Sequence, residues 1–417
     1  MKNTSSPPGR AKQLLRIMLS QSMSTYANQV IAFVIPWLIL TKTGSAANAG
    51  AVAFAMGVSG LVGTLIGGVV TDRIGGRRVS MLADALSLLT ALGLAAALWV
   101  DFFAIWFVVI TQMIGVFFDG PGQIGKNAAI PAAAAEEKVP VERAMGIQQM
   151  IQGVAMFVGP ISAGFLIALF SESATLAIAG ALFMFAILWI SKLKKDTFQH
   201  EHPMTRRQAY RDMREAFQFI RHDALLSKMQ IFGPLYGALL FPLTVIIYPA
   251  WFVFSGQSSE ALGVFLGASA IGGMIGGGLF AAFAPKVSKR AWISIATIVY
   301  ALLLVTLSFM QPGSIATIVV GFLSGVVLTG VMAIIFTTFY TRTPQNLLGR
   351  VNSIGTATGH LLTAPAALIF GWIVTATSPQ TALLTCAVVL LIIAISIALS
   401  SFAKLLDRKE ETHVKQT

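Results

Sequence analysis

Charge, and acidic charge above all, is scarce in this chain. Asp, Glu, Lys and Arg make up 11% of the 417 residues, and 17 acids face 29 bases. Cysteine occurs once, at Cys386 within an apolar run, which excludes internal disulfides and a thiolate metal site. Four of the five histidines (His200, His202, His222 and His413) lie in polar stretches, so no His and carboxylate spacing suits a catalytic metal. His200 and His202 flank Glu201, but in a segment that reads as a flexible linker. A nucleophile elbow and a phosphate-cradling loop are both missing. An enzyme is therefore not expected, nor a cofactor or metal. Met1 to Gly9 are polar and lack an apolar core ending in a cleavage site, so the first apolar run should double as the targeting signal.

Apolar surface is what the chain has in excess. Hydrophobic residues reach 56% and mean hydropathy is +0.77, more than a water-facing fold can bury. Against the roughly 20 residues that cross hydrocarbon, the runs place helices at 14–40, 48–70, 79–99, 103–135, 143–170, 173–191, 226–254, 261–284, 290–310, 313–341, 350–376 and 380–403. The fourth reads as broken near Gly120-Pro121-Gly122. The expected fold is an all-α membrane protein, with twelve transmembrane helices in two pseudo-symmetric six-helix bundles. A tail (1–13), a bundle (14–191), a linker (192–225), a second bundle (226–403) and a tail (404–417) follow in order.

The bases test that count, because cytoplasmic loops retain Lys and Arg. With the N-terminus inside, all 29 except Lys42 and Lys126 fall in cytoplasmic loops, tails or helix ends. Arg73, Arg77 and Arg78 follow helix 2, and Lys286, Lys289 and Arg290 follow helix 8. Both termini are thus expected on the cytoplasmic side of the cytoplasmic (inner) membrane. Topology and anionic lipid account for the net charge of +12; nucleic acid is not an expected partner. Within the linker, Tyr210, Met213, Phe217 and Ile220 share a stripe, while Arg211, Arg214, Glu215 and Arg221 occupy other faces. A helix at the cytoplasmic membrane surface fits this pattern, as does a solvated linker helix.

The two halves repeat. Gly57, Gly63, Gly67 and Gly68 recur as Gly267, Gly273, Gly277 and Gly278, and Arg143 and Gly164 recur as Arg350 and Gly371. Such duplication, with a site near the midplane, is a recurrent transporter plan, and small residues would let the halves pack closely.

Between helices 2 and 3 runs Gly68-Val-Val-Thr-Asp72-Arg73-Ile-Gly75-Gly-Arg77-Arg78. This resembles, without a gap, the loop signature of the major facilitator superfamily. The resemblance implies that Asp72 latches near Gly349 and Arg350 and holds the outward-facing state. The counterpart after helix 8 is degenerate, with Ala282 in the acid's place. Gly146, Ala155, Gly159-Pro160 and Ala163-Gly164 in helix 5 resemble the superfamily's antiporter motif, with Ala twice replacing Gly. That implies a hinge and seal between halves, and export. Pro36-Trp37 with Thr43-Gly44-Ser45, Ala83-Asp84, Asp119-Gly-Pro121 and Gly349-Arg350-Val351 narrow the likeness to the third drug:proton antiporter branch, which includes macrolide and siderophore exporters. Two departures stand out: Tyr26-Ala27-Asn28-Gln29 where relatives carry an acid, and Thr111-Gln112 where many carry an arginine.

Asp84 and Asp119 are the only acids within the expected spans. An unpaired carboxylate at such depth is costly to ionise and so suited to trade protons. Lys126 lies seven residues after Asp119, two turns along a continuing helix, where an ion pair would oppose that tendency. Three roles remain open for Asp119: proton coupling, capping the second segment of a broken helix, and substrate contact. Asp84 reads as structural. His360 in helix 11 is a second titratable candidate, or simply a hydrogen-bonded membrane histidine. By family analogy helices 1, 4, 7 and 10 line the cavity, offering Tyr26, Asn28, Gln29, Gln112, Asp119, Tyr236, Tyr248, Thr337 and Thr338. The 28 Phe and 16 Met would suit amphipathic substrates. The leading expectation is a monomeric, proton-driven exporter of amphipathic small molecules, with protons and lipid as its other partners. An uncoupled facilitator or importer shares the frame, and a non-transporting scaffold is the alternative of another class.

Overall fold

In lipid the backbone must satisfy its own N–H and C=O groups, so an apolar chain of this kind crosses only as helices or a closed barrel. The computed structural model describes residues 13–193, 206–283 and 287–399, without the side chains of 68–69, 72, 206–210, 212 and 345–346. Those residues form thirteen helices, twelve of them long and apolar enough to span a membrane. They are α1 (Gln13–Thr43), α2 (Ala46–Ile74), α3 (Gly76–Trp99), α4 (Ile105–Glu136), α5 (Val141–Leu169) and α6 (Glu172–Ser191) in the first half. The linker helix α7 (Arg206–His222) follows, then α8 (Ala224–Phe254), α9 (Ser259–Phe283), α10 (Lys289–Ser308), α11 (Ile315–Arg342), α12 (Gln345–Ala376) and α13 (Pro379–Leu399). The expected tails, His200 and His202, and Lys286 lie outside the described residues.

Local chemistry sets the ends. Ser45, Ser171, Ser288 and Ser314 each accept a backbone N–H of the first turn that they precede, a cap that stabilises a helix by about 1 kcal/mol. Asp223 caps α8 through Leu225 N and Leu226 N (2.8 and 2.9 Å) and pairs with Arg342 at the end of α11 (3.1 Å). Gly75 joins α2 to α3 in a single residue at φ +88°, a conformation that favours glycine. In α8 a π-turn at Leu243–Ile247 follows Pro242, whose missing N–H disturbs the regular ladder.

The fourth span is not broken. α4 runs through Gly120-Pro121-Gly122, with both Pro121 and Pro131 inside it. The Phe117 carbonyl, deprived of a donor by Pro121, faces Gly63, where a Cβ would come within 2.3 Å of it. α4 packs closely on α2 at this point, and Asp119, interior to the helix, is not a helix cap. Ala216 and Ile220 pack on Leu226, Leu347 and Val351, whereas Met213 and Phe217 stay exposed.

The repeated glycines do repeated work. Gly57 meets Ala364 of α12, and Gly267 meets Ile161 of α5, both across the boundary between halves. Gly63 lies on α4 and Gly273 on Thr329 of α11, both within a half. Gly164 lies against Ser259 and Gly263 of α9, while Gly371 lies against Ala46 and Gly50 of α2. Two hydrogen bonds fasten these crossings: Ala47 N–H donates to Thr375 Oγ1 (2.7 Å), and Ser259 Oγ–H donates to the Gly164 carbonyl (2.9 Å). The contacts between halves lie toward the end of the bundle away from α1's start. Toward the other end Gly146, Gly153, Gly278, Gly349 and Gly359 have nothing within 4 Å of a Cβ position. The close glycine contacts between the halves thus gather toward one end, and these described glycines toward the other make none.

A Cβ at Gly371 would lie 2.6 Å from the Ala46 carbonyl, so Gly371→Val should wedge the closed end open. In a Cys386→Ala background, a cysteine at Ile161 (packed on Gly267) is expected to react several-fold faster with a membrane-impermeant maleimide once Gly371→Val is added. Unchanged labelling would show that the two crossings do not open together.

Candidate functional site

Three helices of the first half turn polar faces toward one another: Gln21, Ser24 and Asn28 of α1, Asp84 and Ser87 of α3, and Asp119, Gln123 and Lys126 of α4. Each set is spaced three, four or seven residues apart, which keeps it on one helical face. Glycine brings α3 and α4 together here. A Cβ at Gly122 would meet Ala83 at 2.6 Å, and one at Gly125 would meet the Gly76 carbonyl at 2.5 Å; Ser80 Oγ–H donates to the Gly122 carbonyl at 2.9 Å.

Within that contact Lys126, 2% exposed, pairs with Asp84, 4% exposed. The Nζ–Oδ2 and Nζ–Oδ1 distances are 2.8 and 2.9 Å, and Nζ also donates to Ser24 Oγ at 2.6 Å. Gln21 and Gln123 bond side chain to side chain beside it. An ammonium and a carboxylate removed from water persist only when so compensated. The expected Lys126–Asp119 pair is thus replaced by Lys126–Asp84. Asp119 lies two turns back on the same face, roughly 10 Å along the helix and within the span of the two side chains, but Asp84 of the adjoining α3 engages the ammonium first. Asp119 itself is half-buried, and Ser87 Oγ–H donates to its Oδ1 at 3.4 Å.

Two cavities are lined by residues outside this cluster. One, about 380 Å³, is bounded by Ser22 and Tyr26 of α1 and by Ile147, Met150, Val154 and Val158 of α5. The other, about 310 Å³, lies in the second half between α8, α11 and α12, lined by Phe336, Phe339, Tyr340, Thr343, Asn352 and Thr356 among others. Tyr26 thus borders a cavity, and its hydroxyl bonds Ser162 of α5 at 2.5 Å. Gln29 packs on Gly159, and Gln112 is buried. Tyr236 and Tyr248 are enclosed, ringed by Phe232 and by Phe265. Thr337 and Thr338 bond back to Ala333 and Ile334 of their own helix. None of these last four lines either cavity. Ser24, Ser87 and Asn352 escaped the sequence reading; a hydroxyl one turn from an intramembrane acid was the available signal for Ser87.

The loop-signature residues sit at the end where the halves part. Arg73 and Arg78 are exposed, and Arg77 donates to the Ser191 carbonyl at the end of α6. The backbone of Gly68 and Asp72 is helical; the side chain of Asp72, and so its proposed latch, lies outside the described residues. In α5, Gly146 is open, Pro160 is interior to the helix, and Gly159 and Gly164 form the close contacts given above. His360 lies at the boundary between halves, its ring edge 3.1 Å from where a Gly60 Cβ would be, near Val116.

Residues 17–367 match the Major Facilitator Superfamily. The multidrug efflux pump Tap of Mycolicibacterium fortuitum is 28% identical over 345 residues, covering 81% of this chain and 83% of the relative. The enterobactin exporter EntS of Salmonella typhimurium is 23% identical over 341 residues, covering 82% and 80%. Among solved structures, the nucleoside transporter NupG superposes with a TM-score of 0.73 at 15% identity, over 95% of this chain and 100% of that one. A bacterial homologue of the lysosomal transporter Spinster, inward-facing and unoccupied, gives 0.73 at 16% identity over 98% and 100%.

Replacing Lys126 alone with Met strands a buried carboxylate, and breaking such a pair costs about 3–5 kcal/mol. The melting temperature of Lys126→Met in detergent should fall well below wild type, and Asp84→Leu in the same chain should recover most of the loss. A Lys126→Met protein as stable as wild type would contradict the pairing.

Proposed function

This chain belongs to the Major Facilitator Superfamily, and from that premise we propose that it exports amphipathic small molecules in exchange for protons by alternating access. The observation that carries the reading is the one-sided contact between halves. Glycine crossings close one end while the other stands apart, the arrangement from which two rigid bundles rock about a central site. The bias of Lys and Arg to one side assigns the parted end to the cytoplasm, so this conformation faces inward in the cytoplasmic membrane.

Charge and apolar surface divide between the halves. The second-half cavity is walled by Phe336, Phe339 and Tyr340 with few polar groups, a wall for the apolar body of a substrate. The first half holds Asp119 beside Asn28 and Ser87, a carboxyl suited to exchange a proton as the site turns between water on either side. The kinship supports export: Tap is described as an efflux pump and EntS as an exporter. In the outward-facing state Asp72, with Arg73 and Arg77, latches the cytoplasmic ends of α2 and α12 near Gly349 and Arg350. The chain works as a monomer, and α7 lies along the cytoplasmic membrane surface.

Inverted vesicles carrying the protein test this directly, with proton movement followed by fluorescence quenching under a panel of cationic dyes, macrolides and catecholate siderophores. At least one compound should drive proton release from acid-loaded vesicles. Asp72→Ala should reduce that signal to the level of empty vesicles while inserting normally, and Asp119→Asn should keep downhill exchange but lose proton release. Empty-vesicle signals for every compound with intact protein would point to an uncoupled facilitator, and normal transport by Asp72→Ala would end the latch.

A further inference from the structure

Asp84, Lys126 and Asp119 are three charged groups on two adjoining helices, and the structure gives the lysine to only one of the two acids. We propose that they form a single site of one net negative charge, in which Asp84 holds Lys126 away from Asp119 and so leaves Asp119 to take the proton. The inference rests on the reading of Asp119 as the coupling group and goes beyond it. Asp84 becomes a positioning residue, and the number of protons is set by counting charges, two acids less one base.

The geometry supports the assignment in three ways. Lys126 is committed at short range to Asp84 and to Ser24, so its ammonium is spoken for on the α1–α3 side. Asp119 shares its helical face with Lys126, so a lysine released from Asp84 would find Asp119 as the remaining carboxylate on that face. Finally, among the described residues Asp119 makes no ion pair. α1 contributes Ser24 and Asn28, α2 contributes Thr64 near Gly120, and α3 contributes Ser87 and Asp84. Across the boundary His360 of α12 lies against Gly60 and Val116, a turn before Asp119. Ser87 is neutral, so it orients the Asp119 carboxyl but adds no compensating charge.

This arrangement differs in its consequences from a purely structural salt bridge. If Asp84 only stabilises the fold, removing it weakens the protein and leaves the protonation of Asp119 alone. If Asp84 positions the lysine, removing it frees Lys126 to pair with Asp119, which then stays ionised.

Infrared spectroscopy of the purified protein in liposomes separates the two without knowledge of the substrate. The carbonyl band of protonated carboxylic acids is followed while the medium is acidified from alkaline, stopping before exposed carboxylates protonate. Wild type should gain one such band, which Asp119→Asn abolishes. Asp84→Asn should also abolish it although Asp119 is intact, and Asp84→Asn with Lys126→Met should restore it. Should Asp84→Asn fail to fold, Lys126→Met alone decides, because its two unbalanced acids should give twice the wild-type band. A wild-type band in Asp84→Asn, or an unchanged band in Lys126→Met, overturns the inference while leaving Asp119 as the coupling group. A wild-type band that survives Asp119→Asn overturns the underlying reading instead.

Discussion

The two bundles meet chiefly where α2 crosses α12 and α5 crosses α9, and both crossings are close only because glycine removes the side chain at the point of contact. Lipid tails are as apolar as Leu, so no hydrophobic force presses membrane helices together; dispersion at short range and a few hydrogen bonds must suffice. Gly50 against Gly371 and Gly164 against Gly263 provide that range, and the Ala47–Thr375 and Ser259–Gly164 bonds fix it. A contact that depends on near-touching backbones is either made or lost, with little in between. Such an interface suits two rigid bodies that alternate between opening at one end and at the other.

The buried charges obey a different constraint. An ion pair in a membrane interior contributes little net stability over an apolar replacement, yet either partner alone is costly. Asp84 and Lys126 therefore come as a unit, held by the glycine-mediated contact of α3 and α4 and by Ser24 of α1. That unit leaves Asp119, among the described residues, with the neutral Ser87 as its hydrogen-bond partner. Packing and chemistry are thus linked: the same small residues that let α4 approach α3 decide which carboxylate the lysine reaches.

Much of the fold was legible in the sequence. Twelve apolar runs and the one-sided bases describe the spans, and the glycines repeated from Gly57 to Gly267 and from Gly164 to Gly371 occupy equivalent crossings. What sequence spacing could not convey was contact between helices. The seven residues from Asp119 to Lys126 place both on one face but say nothing of α3 across from it. Gly120-Pro121-Gly122 reads locally as a break, and only the approach of Gly63 to the Phe117 carbonyl shows how the helix continues. On α7 the spacing of Tyr210, Met213, Phe217 and Ile220 could be read as a stripe, but not that Ala216 joins Ile220 against Leu347 and Val351.

The central claim is that the halves rock as rigid bodies under the control of one carboxyl. Double electron–electron resonance tests it most directly, in a Cys386→Ala background. One pair of spin labels at Lys138 and Lys289 would span the halves at the parted end, and another at Lys42 and Thr377 would span them at the closed end; all four positions are exposed. As pH is changed, the two distances should move in opposite senses, and Asp119→Asn should abolish the response in both. Distances that shift in the same sense, or a response that survives in Asp119→Asn, would contradict the account.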